Sequence, residues 1–206
     1  MDTEITSDRL LLRQVRLEDI ESIYAAEKES LDELQKWFWW CHPSHSRKKC
    51  AEWVASRQRV WAAGEEYSFL VTDRDSGVVF GCVWLNAVDR DMKTAALGYW
   101  VRTSAYGLKI ATEATRLMVY WGFDQLSIMR VQILIATTNQ ASQRIAQKLG
   151  ATQDCSEHGR ISVGDLIQDA IVYSLTYEDL VRAEHACSAS SSGMPGPNGF
   201  PGGTLK

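Results

Sequence analysis

The chain has no apolar run close to the roughly 18 residues needed to cross a bilayer, and its start, MDTEITSDRLLLRQ, is acidic where a secretory leader needs positive charge. The expected location is therefore the cytoplasm, with no membrane partner. Basic charge is also scarce: 22 Lys and Arg stand against 26 Asp and Glu, for a net charge of −4. Without a basic field, direct nucleic-acid binding is not expected, and a small molecule or another protein becomes the expected partner. The five cysteines, Cys41, Cys50, Cys82, Cys155 and Cys187, are odd in number and irregularly spaced. They suggest reduced thiols, not a disulfide framework. Cys41, His42, His45 and Cys50 form a C-H-x-x-H-x-x-x-x-C cluster that fits no regular zinc pattern, so no metal is expected. No GxGxxG follows a first strand, which argues against a dinucleotide-binding oxidoreductase, and no internal repeat is visible.

What is present is enough for one core: 206 residues, 45% hydrophobic and 23% charged. The composition turns to Ser, Gly and Pro near residue 185, so we expect one folded domain over 1–184 and a disordered tail over 185–206. RLLLRQV (9–15) reads as a buried strand, followed by a helix with Leu17, Ile20, Ile23 and Tyr24 at helical spacing. A second helix is predicted from Arg47 to Ala63. YSFLVTD, VVFGCVWLNAV and TAALGYWVR, joined by DRDSG and DRDMK, predict an antiparallel three-strand meander. A helix from Lys109 to Trp121 is predicted to stop at Gly122. RVQILIATT is a strand, NQASQRIAQKLG a helix capped by Asn139 and ended by Gly150, and IQDAIVYSLT a closing strand. The order β-α-α-β-β-β-α-β-α-β(-β) predicts an α/β fold of the α+β mixed-sheet kind, mostly antiparallel, with helices on both faces.

Between the meander and its helix lies VRTSAYGLKIATEA, which has a single glycine where phosphate-binding turns usually have two or three. In isolation it is no more than a strand-to-helix junction. Taken together, however, GYWVRTSAYGLKIATEA and the later ATTNQASQRIAQKLGA resemble the acetyl-CoA-binding half of the GNAT acetyltransferases. The RimJ/RimL group, which acetylates ribosomal-protein N-terminal amines and has relatives acting on other amines, is the nearer likeness. It extends over about residues 5–180 and includes TSDRLLLRQV and LQKWFWWCHP. The family's loop Q-G-x-G-x-A is matched here by Tyr106, Gly107, Leu108, Lys109, Ile110 and Ala111, without the first Gln and the second Gly.

The resemblance implies an acetyl-CoA-dependent N-acetyltransferase acting through a ternary complex on a primary amine, either a protein N-terminus or a small amine such as a polyamine, an aminoglycoside or an aminoacyl-nucleotide antibiotic. A monomer or homodimer is expected. A GNAT-shaped module that holds CoA without turnover is the alternative. Acetyl transfer needs a held thioester, a neutral amine, a stabilised oxyanion and a proton for the thiolate. The resemblance places the pyrophosphate on Tyr106, Gly107, Leu108, Lys109, Ile110, Ala111 and Thr112, whose amides stay usable if Tyr106 and Lys109 keep negative φ. It places pantetheine along Trp100, Val101 and Arg102, at a bulge over 99–102 beside a splayed strand at 131–137, with Asn139 on the pantetheine amides. The bland reading of Asn139 is a helix cap, and that of Lys109 a solvated side chain. Ser142 is the candidate proton donor to the thiolate. For the base, Glu157 is taken as representative of an open choice with Asp154, His158, Asp169 or a water. Glu113 reads as structural. Trp37, Trp39, Trp40 and His42 are candidates for an acceptor wall, with core packing as the alternative.

Overall fold

The computed structural model describes residues 3–191, with side chains to residue 186. Two short segments open the chain, β1 (Glu4–Thr6) and β2 (Leu10–Gln14), followed by α1 (Ile20–Glu29), α2 (Leu31–Leu34) and α3 (Arg47–Ala62). The predicted meander is β3 (Glu66–Asp73), β4 (Val79–Asp89) and β5 (Thr94–Val101). Then come α4 (Ile110–Gln125), β6 (Arg130–Ala136), α5 (Gln140–Lys148), β7 (Thr152–Val163), β8 (Leu166–Thr176) and α6 (Tyr177–Ser191). They build one eight-stranded sheet in the order β1-β2-β3-β4-β5-β6-β8-β7. Every neighbouring pair is antiparallel except β5 with β6.

β3 alternates its buried residues between two cores. Tyr67, Phe69 and Val71 join Met118 and Val119 of α4, Ala146 of α5 and Leu180 of α6, while Leu70 joins Ile23 and Ala26 of α1 and Val54 of α3. A strand covered on both faces reads as a continuous apolar run, which is how YSFLVTD is legible. Trp61 at the end of α3 packs with Tyr67, Phe69 and Trp121, at centroid distances of 5.1, 5.0 and 5.8 Å.

Several boundaries differ from the sequence reading. β1, α2 and α6 were not anticipated, because three or four residues are too few to show a period, and α6 sits where the composition changes. The boundary drawn at 185 falls inside α6; the expected disorder of 192–206 lies outside the described residues. Gly122 does not end α4, which continues to Gln125. A Cβ at Gly122 would stand 2.5 Å from Leu85 Cδ1 and 3.0 Å from Ile128 Cδ1, so this glycine serves close packing and is not a stop signal. The glycine of GYWV has a similar reason: a Cβ at Gly98 would meet the Trp84 indole at 2.2 Å.

The predicted bulge at 99–102 is not found. β5 pairs with β4 without interruption from Ala96 to Val101, and the shift between these strands lies at Asn86/Asp89. The predicted splay is found. β5 and β6 pair only through Thr94–Ala96 and Arg130–Gln132, after which β5 follows β4 and β6 follows β8 as far as Ala136. Each strand obeys its antiparallel partner, and the sheet opens between them.

Candidate active site

The opening is a cleft of about 560 Å³ lined by β5, the loop after it, the N-termini of α4 and α5, and α2 with the turn that follows. It runs into a smaller recess of about 90 Å³ between β5 and β6. Trp37, Phe38, Tyr99, Asn139 and Ser142 border both cavities, so the two meet there.

The β5 edge supplies backbone groups. Arg102 N–H donates to the Phe80 carbonyl at 2.7 Å, and Trp100 faces Cys82 in the ladder. Since peptide groups alternate direction along an antiparallel strand, the amides of Tyr99 and Val101 turn to the open side, where an extended chain can bond as an added strand.

At one end of the cleft lies the one-glycine turn. The amides of Gly107, Lys109, Ile110, Ala111 and Thr112 have no acceptor among the described residues, and no side chain caps α4. Several uncommitted donors at the positive end of a helix form a cradle for an anion. Tyr106 keeps the expected negative φ of −64°. Lys109 does not: its φ is +63° and ψ 12°. Lysine thus takes the left-handed conformation a glycine would supply, and the amide geometry is kept at the cost of strain. Lys109, with Arg144 and Lys148 of α5, brings three cations to the cleft lining, of which the sequence reading named only Lys109. Glu33 is the one carboxylate lining the cleft among the described residues, and its charge is felt by Tyr106 of the turn. Its acidity is raised by the Lys36 ammonium at 2.5 Å, so it stays ionised.

The remaining candidates divide. Tyr106, Gly107, Lys109, Ile110, Ala111, Thr112, Val101, Asn139 and Ser142 line the cleft; Leu108 is half-exposed outside it. Trp100 touches the cleft, but its indole is buried in the core beneath α1 and α3. Arg102 is turned away to Glu29 (Nε–Oε2 2.9 Å), which also accepts from Ser104 N–H at 2.9 Å. This pairing with Arg102 lowers the Glu29 pKa to about 2 and ties α1 to the loop. Asn139 caps α5, its Oδ1 accepting from Ser142 N–H at 3.1 Å, as the bland reading held. Glu113 is structural, accepting from Ser7 Oγ at 2.6 Å and Arg9 Nε at 2.7 Å.

Of the acceptor-wall candidates only Trp37 lines the cleft, joined by Phe38, which the sequence reading passed over. Trp39 is 74% exposed, Trp40 packs at a tilt against Phe38 and edge-on against His45, and His42 hydrogen-bonds Ser44. The 35–45 segment is a series of tight turns, so sequence adjacency does not put these side chains on one wall. Of the base candidates, Glu157 pairs with Arg160 at 2.8 Å, Asp154 with Arg130 at 2.5 Å, and His158 with Asp169 at 2.8 Å. None of them lines the cleft or its recess. The C-H-H-C cluster does not converge: Cys41 and Cys50 are buried thiols, and His45 Nε2 lies 2.8 Å from Glu27 Oε2.

A mixed sheet that splits between its two parallel strands, with uncommitted amides at a helix N-terminus beside the split, defines the class of α/β architecture to which the chain belongs. The particular family follows from the sequence. The profile of the Acetyltransferase (GNAT) domain matches residues 9–152, and the chain belongs to that family of acyltransferases. It is 23% identical over 172 residues to the "Putative ribosomal N-acetyltransferase YdaF" of Bacillus subtilis, across 82% of this chain and 92% of that protein. Among solved structures, it superposes on RimL, a ribosomal L7/L12 alpha-N-protein acetyltransferase in complex with coenzyme A. There the TM-score is 0.80 and the identity 19%, over 86% of this chain and 99% of that one. The microcin C7 self-immunity acetyltransferase MccE, in complex with acetyl-CoA and AMP, gives a TM-score of 0.76 at 18% identity, over 82% and 93%. These structural likenesses establish the fold. No helix among the described residues is long and apolar enough to cross a membrane.

Proposed function

We propose that this chain transfers an acetyl group from acetyl-CoA to a primary amine in the manner of the RimJ/RimL enzymes, the acceptor being a protein N-terminus or a small amine. The observation that carries this reading is the meeting of the cradle, the open β5 edge and the Tyr99 and Ser142 hydroxyls in one cleft. Amides of Gly107 to Thr112, with Arg144 and Lys148 beside them, suit the pyrophosphate and the other phosphate of the co-substrate. The Tyr99 and Val101 amides suit the pantetheine and the thioester carbonyl, where negative charge develops during attack. The free Nδ2 of Asn139 points the same reading at the pantetheine amides.

Ser142 is suited to hand its proton to the leaving sulfur. Glu33, on the acceptor wall with Trp37 and Phe38, is suited to draw in a cationic amine and to orient it once deprotonated, and an N-terminal amine with a pKa near 8 needs only modest help to lose its proton. Glu33 takes the place in this reading that Glu157 held in the sequence reading. RimL's protein acceptor and MccE's bound AMP are both compatible with an aromatic wall beside a carboxylate. Acetyl-CoA at millimolar concentration should raise the melting temperature by mass action. A panel of peptides and small amines, scored for acetylation by mass spectrometry, then assigns the acceptor. No stabilisation and no acetylated product would reject the reading.

A further inference from the structure

We infer that Tyr99 is a second catalytic hydrogen-bond donor, placed with Ser142 at the sulfur of the leaving thiol. The inference rests on the acetyltransferase reading and goes beyond it, since neither the sequence motif nor the loop chemistry assigns this tyrosine a role.

The argument begins with an unpaired group. Tyr99 Oη is buried and has no hydrogen-bond partner among the described residues. An unsatisfied buried hydroxyl is costly, and phenylalanine of the same shape would avoid the cost, so such a group in a native interior calls for a functional reason. Its position supplies one. Among the residues bordering both the cleft and the recess, Tyr99 and Ser142 carry the only hydroxyls, Trp37 and Phe38 close the acceptor side, and Asn139 is committed through Oδ1 to its cap. Ser142 lies near enough to lower the Tyr99 pKa somewhat, although too loosely to satisfy its hydroxyl. Burial dominates and pushes the phenol up to about 12. Tyr99 is therefore a neutral donor throughout the working range, with its hydrogen unassigned until a ligand arrives.

The balance of the step is simple. The amine nitrogen bonds the acetyl carbon, the carbon–sulfur bond breaks, and its electron pair goes to sulfur. Nitrogen releases a proton to solvent; Ser142 gives its hydroxyl proton to sulfur and recovers one from solvent. Tyr99 keeps its proton and only donates a hydrogen bond to sulfur as negative charge gathers there. A donor to a charged acceptor in a site shielded by two aromatic rings is worth more than an ordinary hydrogen bond.

Tyr99→Phe tests this without needing the acceptor. The full-length native and variant chains are saturated with CoA, and the thiol is titrated by the ultraviolet absorbance of its thiolate. The thiol pKa should be about 1 unit lower in the native complex than in the variant, and the variant, relieved of an unpaired hydroxyl, should melt at the same or a higher temperature. With an acceptor in hand, kcat should fall roughly 10- to 100-fold while the KM for acetyl-CoA changes little. Equal thiol pKa values in the two complexes would overturn the inference, as would a lower melting temperature in the variant, which marks a structural hydrogen bond. Ser142→Ala should retain part of the lowering; complete loss there would assign the whole effect to the serine and overturn the role of Tyr99. Failure of native protein to bind CoA would instead sink the acetyltransferase reading itself.

Discussion

Replacing Lys109 by glycine separates two properties that one residue combines. Lys109 is exposed, with φ +63° and ψ 12°, at the entrance to α4. An L-residue in this conformation costs about 1–2 kcal/mol; a glycine avoids that but surrenders roughly 0.5–1 kcal/mol of unfolded-chain entropy. The net expectation is a gain of about 0.5–1 kcal/mol, or roughly 1–4 °C in melting temperature for a chain of this size. The amides of the cradle keep their positions, so acetyl-CoA binding loses only the exposed ammonium. Surface charge pairs contribute about 0.2–1 kcal/mol, so the dissociation constant should rise by no more than about 5-fold. Calorimetric titration with acetyl-CoA and thermal melting of the free protein read the two effects separately. Lys109→Ala is the control: it loses the charge and keeps the strain, so it should match the glycine variant in affinity without its gain in stability. A glycine variant that melts lower would refute the strained-turn argument. A loss of affinity above about 10-fold would mean that the lysine is itself a principal phosphate ligand, and tighter binding would mean that its side chain obstructs the cradle.

Gly98→Ala pushes a methyl into the Trp84 indole, 2.2 Å away, and should destabilise the protein by about 1–3 kcal/mol; an unchanged denaturant midpoint would show that the indole moves aside freely. Arg144→Ala with Lys148→Ala should weaken acetyl-CoA binding and flatten its salt dependence while leaving the melting temperature of the free protein unchanged, as read by calorimetry at two ionic strengths. Glu27 is 2.8 Å from His45 and buried, and desolvation raises its pKa. The folded state therefore binds the proton more tightly than the unfolded one. The resulting stability is fully present below the unfolded value of about 4.3 and is lost as pH rises through the higher folded value. Urea midpoints across this range should decline more steeply for the native protein than for Glu27→Gln; equal slopes would contradict the assignment.

Legibility followed the reach of each signal. Patterns with local causes were readable: the meander from its apolar runs and turn residues, the α5 cap from Asn139, its end from Gly150, and the family from GYWV, ATEA and N-x-x-S. The first segment, α2 and α6 were too short or too ambiguous in composition to declare themselves. Gly122 misled because a packing glycine and a stopping glycine are identical in one dimension. The WFWWCH run misled for a related reason: successive tight turns send Trp37 and Phe38 to the cleft, Trp40 to the core and Trp39 to solvent.

The amino-acid sequence by itself determined the order of most elements, the two-sided core and the place of the one-glycine turn, because periodicity, turn chemistry and caps act within a few residues. Only the tertiary structure decided that Lys109 adopts a glycine's conformation, that the candidate base Glu157 is engaged with Arg160 outside the cleft, and that Glu33 lines the cleft together with Lys109, Arg144 and Lys148. It also decided that Tyr99 and Ser142, from β5 and α5, share the junction of two cavities. The reason is that β5 and β6 diverge only because each is bound to a different antiparallel partner, a constraint carried by residues far apart in the chain.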